Sequence, residues 1–284
     1  MTGLLLLAAT GQGWAQNLSY VGDLASTRAF MADLAQLYQL QGEGEISVDL
    51  TTASEALRLA AAGEVDMGGT ARSADETNAQ ERRATMYPIV WDALVVVVNR
   101  QNPIVNISIA QLQDVYEGKI TNWNQMGGDD QAINVIAHDD PGHGVDTNLA
   151  ALLLGRPNAE LAATSRVGNL EQLGDAVAAD PLALGVATYS SARKMPVKIL
   201  TLEGRSAAYQ TIQSGEYLLF TPLYLAIRDS GPNRRYVRNF LKFAGGSDAK
   251  RILRRNGVVP YADGLALVSR QLDREQLLEQ LRGD

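Results

Sequence analysis

The chain has 284 residues, 46% of them apolar, which suffices to bury one large core or two lobes and argues against a disordered polypeptide. A net charge of −7 excludes a general nucleic-acid binder, which needs a basic face to neutralise phosphates. The absence of cysteine excludes disulfides, thiolate nucleophiles and Cys-based metal sites.

In chain order, the apolar stretch Leu4 to Ala9 leads to small residues at Gly13 and Ala15, spaced as a signal-peptidase site requires. Residues 1–15 therefore read as a signal peptide cut after Ala15, truncated at its basic end because Met1 to Leu7 carries no Lys or Arg. No later segment is long and apolar enough to span a bilayer as a helix.

The chain from Gln16 alternates strand and helix signals, the pattern of an α/β fold with a largely parallel sheet. Asn17 to Gly22 reads as a strand. The next segment puts Phe30, Leu34, Leu37 and Tyr38 on one helical face, with Ser26 or Thr27 as its cap. EISVDLTT alternates as a strand, SEALRLAAAGEVD follows as a helix capped by Ser54 and ended near Gly63, and Val65 to Thr70 is another strand. The β-branched run Asp92 to Pro103 suits a strand buried on both faces and a first crossing between two lobes. A helix runs from Ser108 to Gly118. A strand then enters AHDDPGHGVDTN, which holds both histidines of the chain, and a helix follows from Asp146 to Gly155. Leu218 to Arg228 is a second long apolar strand and the return crossing. The predicted lobes are residues 16–92 with 218–284, and residues 93–217.

Four strand-to-helix turns stand out: Gly22 to Thr27, Thr51 to Glu55, Gly69 to Arg72, and His138 to Thr147. Helix N-termini carry free N–H groups and partial positive charge, so such turns collect anions. Two α/β lobes that face each other across their strand ends make a closing cleft.

EGKITNWNQMGG (Glu117 to Gly128), LTTASEALRLAAAGEVDMGGTAR (Leu50 to Arg72), IQSGEYLLFTPLYLAIR (Ile212 to Arg228) and NFLKFAGGSDAKRILRRNGVVP (Asn239 to Pro260) resemble the phosphate-binding subunit of phosphate-specific ABC importers. The likeness runs over nearly the whole chain after the leader. It implies a two-lobed, type II periplasmic-binding-protein-like fold. It also implies a monomer without cofactor, exported to the periplasm, that closes on inorganic phosphate and delivers it to an ABC permease. In that family the ligand is held by backbone amides, Ser and Thr hydroxyls, an Arg and a carboxylate acceptor. The family's first loop, similar to Gly-Ser-x-Thr, falls on Gly22, Asp23, Leu24 and Ala25, with hydroxyls at Ser26 and Thr27. The second, Gly-Ser-Gly-Thr, falls on Thr52, Ala53, Ser54 and Glu55. The third, Ser-Ser-Arg, is best kept, as Thr70, Ala71 and Arg72. The fourth, an Arg followed by Ser-Gly-Thr, becomes His138 to Gly144 with Thr147 one turn on. The expected ligand-binding residues are thus Ala25, Ser26, Ser54, Thr70, Arg72, His138, His143, Gly144 and Thr147.

These departures subtract donors and add Asp23, Glu55, Asp139 and Asp140, so oxyanion binding is expected to be weaker than in the family and to strengthen as His138 and His143 protonate. Other readings stay open. His138, Asp140 and His143 offer a ligand set for a first-row metal. A cationic solute could sit against Tyr87, Trp91 or Tyr189. The scaffold could also serve as an envelope sensor without transport. An enzyme is not expected: Ser191 to Lys194 spells Ser-x-x-Lys without its companion motifs and reads as a surface turn. The basic helices RRYVRNFLK and KRILRRNG read as solvated faces, and Leu267, Leu272, Leu277 and Leu278 as core contacts of a terminal helix.

Overall fold

A computed structural model describes residues 17–140, 142–157 and 159–283, so the expected leader over residues 1–15 lies outside the described part. Its frame is a sheet of eight principal strands: β1 (Asn17–Gly22), β2 (Glu45–Leu50), β3 (Met67–Thr70), β4 (Thr85–Val98), β5 (Asn134–His138), β6 (Ser165–Val167), β7 (Ala183–Thr188) and β8 (Phe220–Ile227). They lie in the spatial order β2-β1-β3-β8-β4-β7-β5-β6. β1 pairs parallel with β2 and β3, and β5 pairs parallel with β6 and β7. The two antiparallel insertions, β8 and β4, join these halves.

β4 is the strand that couples the two halves. Its residues Thr85 to Ala93 pair with β8, while Leu94 to Val98 pair with β7, so the partner changes between Ala93 and Leu94. The strand begins seven residues before the predicted Asp92, and Val90 to Val98 are all buried. A run this apolar satisfies a central strand covered on both faces. Trp91 is core at this crossing, stacked on Tyr261 at 5.1 Å and edge-on to Phe220, and is not a ligand wall. The buried Asp92 accepts from Ser190 Oγ (2.5 Å) and from the Ala93 N–H (2.8 Å). Burial pushes its pKa up to about 6, against the lowering effect of those bonds.

The helices follow from apolar spacing and caps. Leu24–Ser26, Thr27–Met31 and Ala32–Leu40 run on as one helical stretch, with Phe30, Leu34 and Tyr38 buried. Each such burial contributes roughly 1.5–3 kcal/mol. The cap is Asp23, whose carboxylate accepts the Ser26 N–H, and not Ser26 or Thr27. The helix Ala53–Ala62 is capped by Thr52 instead of Ser54, because the Thr52 hydroxyl reaches the Glu55 N–H while Ser54 lies within the first turn. Gly63, at φ 76°, ends it in the left-handed conformation that glycine adopts without steric cost. No helix follows Thr70: the chain makes a turn and reaches only the single 3₁₀ turn Glu81–Arg83. The third expected strand-to-helix turn is therefore a strand-to-loop turn.

The terminal helix Ala266–Gly283 buries Leu267 and Leu278, while Leu277 stays 40% exposed; the side chain of Leu272 lies outside the described residues. It packs on the helices Ile109–Tyr116 and Gly144–Leu154. Ser191 is buried in the short helix Tyr189–Ala192, whereas Lys194 is exposed, so the Ser-x-x-Lys spelling is not one surface turn. Among the described residues no helix is long and apolar enough to cross a membrane.

Candidate functional site

Three loops from the first sheet half and one from the second meet at the carboxyl ends of their strands. The contact is close. A Cβ on Gly142 would overlap Ser54 Oγ, and one on Gly144 would lie 2.8 Å from Ala71 Cβ and 3.1 Å from the Arg72 amide nitrogen. Asn148 Nδ2 donates to Ala71 O (2.5 Å) and Arg72 Nε to Gly142 O (3.1 Å), tying the two sides together.

On the first side, amides at the turn and the Arg72 guanidinium are held by the chain's own carboxylates. Asp23 accepts the N–H groups of Ser26 and Ala71, both at 2.7 Å. Burial raises its pKa, although those bonds and the Arg72 charge pull the other way. Ala25 contributes only a buried methyl group. The Ser26 hydroxyl donates to Asp23 O (3.1 Å), and both Ser26 and Thr27 hydroxyls lie 3.0 Å from the buried Tyr20 hydroxyl. That ring fits because Gly22 and Gly69 carry no Cβ to overlap it. Thr70 Oγ1 bonds only within its own turn, to the carbonyl and N–H of Arg72.

Arg72 makes five hydrogen bonds: to Gly142 O, Ser73 O, Ser54 Oγ and both oxygens of Glu81 (2.8 and 2.9 Å). A guanidinium has five N–H donors, so each is taken. Arg72 and Glu81 are 7% and 5% exposed, a buried bidentate pair. Burial opposes ionisation of Glu81, yet its bonds to Arg72 and to the Asp75 N–H hold its pKa below the ordinary value.

On the second side the start of a helix is left without a side-chain cap. The helix Gly144–Leu154 starts two residues before the predicted Asp146, and the side chain of its cap residue, His143, accepts from none of its first-turn N–H groups. Gly144 and Thr147 lie in that first turn. The rings of His138 and His143 stack face to face, centroids 3.4 Å apart and planes within 7°. His138 Nδ1 and its backbone N–H both bond Asp146 (2.8 Å each), which places the ring proton on Nδ1. Among the described residues, His138 Nε2, His143 Nδ1 and Asp140 Oδ2 are buried and without a partner. Each unpartnered buried polar group costs about 1–3 kcal/mol. Burial, helped by the adjacent His138, pushes His143 down to about 3. Its protonation thus falls outside mild acid, which corrects the expectation that it gains a proton there and strengthens binding.

The potential metal-ligand group is His138, His143 and Asp146, with ligand atoms within 4.8 Å of one another; Asp146 takes the place expected for Asp140, whose Oδ1 instead holds the Gly142 N–H. Sequence reasoning also missed the roles of Glu81, Asn148 and Tyr20. Asp23 was legible as a cap, being an acidic residue directly before a helix. Glu81 was not, since no spacing rule links it to an arginine nine positions earlier.

A family model described as a PBP superfamily domain matches residues 13–247. The phosphate-binding protein PstS of Bacillus subtilis is 22% identical over 87% of this chain and 81% of its own length. Phosphate-binding protein PstS 2 of Streptococcus pneumoniae is 31% identical over 41% of this chain and 40% of its own. Among solved structures, a phosphate ABC transporter substrate-binding protein of Clostridium perfringens with bound phosphate superposes at a TM-score of 0.76 with 19% identity, covering 86% of this chain and 99% of that one. An ABC-type phosphate transport receptor of Vibrio cholerae gives 0.67 with 25% identity, covering 85% and 99%.

Proposed function

We propose, for a chain that belongs to the PBP superfamily, that it is an exported, monomeric solute-binding protein that closes on phosphate and passes it to an ABC permease. The observation that carries this reading is the meeting of the uncapped N-terminus of the helix Gly144–Leu154 with the Thr70 to Arg72 turn, at the mouth between the two sheet halves. A helix N-terminus is an anion site by its dipole and its unsatisfied N–H groups. Relatives that carry phosphate in their names span most of this chain.

The chain's own carboxylates set the affinity. Asp23 holds two N–H groups that an oxyanion would otherwise take, and Glu81 holds Arg72. Phosphate must compete with both, so binding is weaker than with a hydroxyl at position 23. Because burial raises the Asp23 pKa, acidification removes its charge sooner than that of an ordinary carboxylate and favours the bound anion.

The test is solution scattering with thermal unfolding of the chain from Gln16, with phosphate, sulfate or neither. A ligand at a hundredfold over its dissociation constant adds about 2.7 kcal/mol of stability. Phosphate is expected to raise the melting temperature and narrow the distribution of shapes. No shift with phosphate at any concentration up to millimolar would remove the importer reading.

A further inference from the structure

We propose that His138 and His143 form a binding site for a first-row divalent cation of the Zn²⁺ or Co²⁺ type, with Asp146 as the residue that positions His138. Three observations converge. The three side chains bring one ligand atom each within 4.8 Å of one another. Both imidazoles are more than nine-tenths buried, at 1% and 8% exposure, and each keeps a nitrogen with no partner. Asp146 Oδ1 accepts a hydrogen bond from His138 Nδ1–H at 2.8 Å, leaving a lone pair on Nε2. A carboxylate that fixes the tautomer of a histidine in this way is the usual support of a metal ligand.

The donor set selects the ion. Imidazole nitrogens suit Zn²⁺, Co²⁺, Ni²⁺ and Cu²⁺, whereas Mg²⁺ and Ca²⁺ demand oxygen ligands. A cavity of about 530 Å³ lined by His138, by Asp139, Asp140, Asp146 and Glu160, and by Arg166 gives a net acidic approach to His138. Parallel rings 3.4 Å apart cannot both direct a lone pair at one ion, so binding requires the planes to tilt. Such a tilt is a rotation about the side-chain torsions of His143 or His138, whose planes are now within 7°. A cation there offsets the charge of Asp139, Asp140 and Asp146 and leaves coordination positions for an oxyanion. That coupling, unlike the cation site itself, rests on the phosphate reading.

The chain has two histidines and no cysteine, so an untagged protein reports on this site without competing imidazole or thiolate ligands. Calorimetric titration with Zn²⁺, and with Co²⁺ followed by its visible absorption, is expected to show one saturable site with nitrogen ligation. His138→Gln and His143→Gln should each weaken it by about a hundredfold, and Asp146→Asn by roughly 10–100-fold, the range for a supporting residue. Absence of saturable binding, or binding that survives both histidine substitutions, would overturn the site. If a histidine variant does not fold by thermal melting, the wild-type Co²⁺ spectrum decides, because an all-oxygen spectrum contradicts the proposal. Phosphate titrated with Zn²⁺ and with chelator should bind several-fold tighter with the cation. Equal affinities would overturn the coupling, and no phosphate binding under either condition would count against the phosphate reading while the cation titration still stands.

Discussion

The two walls of the cleft solve the same electrostatic problem in opposite ways. On the first wall the donors that face the turn have internal acceptors: Asp23 for the amides of Ser26 and Ala71, Glu81 for Arg72. On the second wall the helix start at Gly144 is uncapped and two imidazole nitrogens are buried without partners. The turn between Thr70 and Arg72 is therefore tied into a structural network of the chain's own groups. The second wall is energetically incomplete, and completion from outside is favourable there. Residues that look like binding groups by type, above all Arg72, can be fully committed to the fold, whereas residues that look like a polar turn can be the receptive ones.

The contrast breaks most visibly at Glu81. Glu81→Ala leaves the buried Arg72 uncompensated and is expected to cost about 3–5 kcal/mol in urea unfolding. Phosphate should recover more stability in this variant than in the wild type, because Arg72 becomes available to it; an equal gain in both would mean that Arg72 does not meet the ligand.

Between the walls, at the crossing, Asp92 supplies a pH signature. Its folded pKa of about 6 lies above the ordinary 3.8, so its contribution to stability is complete below about 3.8 and is lost as pH rises through about 6. The loss relative to Asp92→Asn is expected to reach about 3 kcal/mol by pH 7. Unfolding free energies of both proteins between pH 4 and 7 check this, and parallel curves would contradict it.

Gly144→Ala places a methyl group against Ala71 and the Arg72 amide. Overpacking of this kind costs about 1–3 kcal/mol. Here the walls can separate to relieve it, so the expected readout is a larger radius of gyration in scattering. The smallest effect belongs to the second wall: His143→Leu removes an unpartnered buried nitrogen, and its cost should stay under about 1 kcal/mol. A loss as large as that of Glu81→Ala would show that the two walls are equally committed.

Much of the frame was legible. β1 has the predicted bounds, the Val95 to Val98 run marked a doubly buried strand, and Gly63 and Gly155 ended helices as punctuation rules require. The failures have physical causes. Ser54 lost the capping role to Thr52 by register, a shift of two residues that propensity alone does not resolve. The turn from Gly69 to Arg72 was legible, but the sequence could not reveal that Arg72 is paired, because the partner depends on how the loop from Ser73 to Gln80 folds back. The state of His143 depends on burial against His138, five positions away, which becomes apparent only when the rings stack.

The most direct test of the account is phosphate affinity measured calorimetrically for the wild type and Asp23→Ser at pH 5.5 and 7.5. Phosphate changes its own charge over this range, so the informative quantity is the ratio of the two proteins at each pH. Competition by Asp23 predicts that the variant binds tighter at pH 7.5 and that its advantage does not grow at pH 5.5, since a raised pKa can only lessen the charge on Asp23 as pH falls. A wild type that binds tightly at both pH values, with Asp23→Ser weaker at each, would instead make Asp23 a partner of the ligand and contradict the central claim.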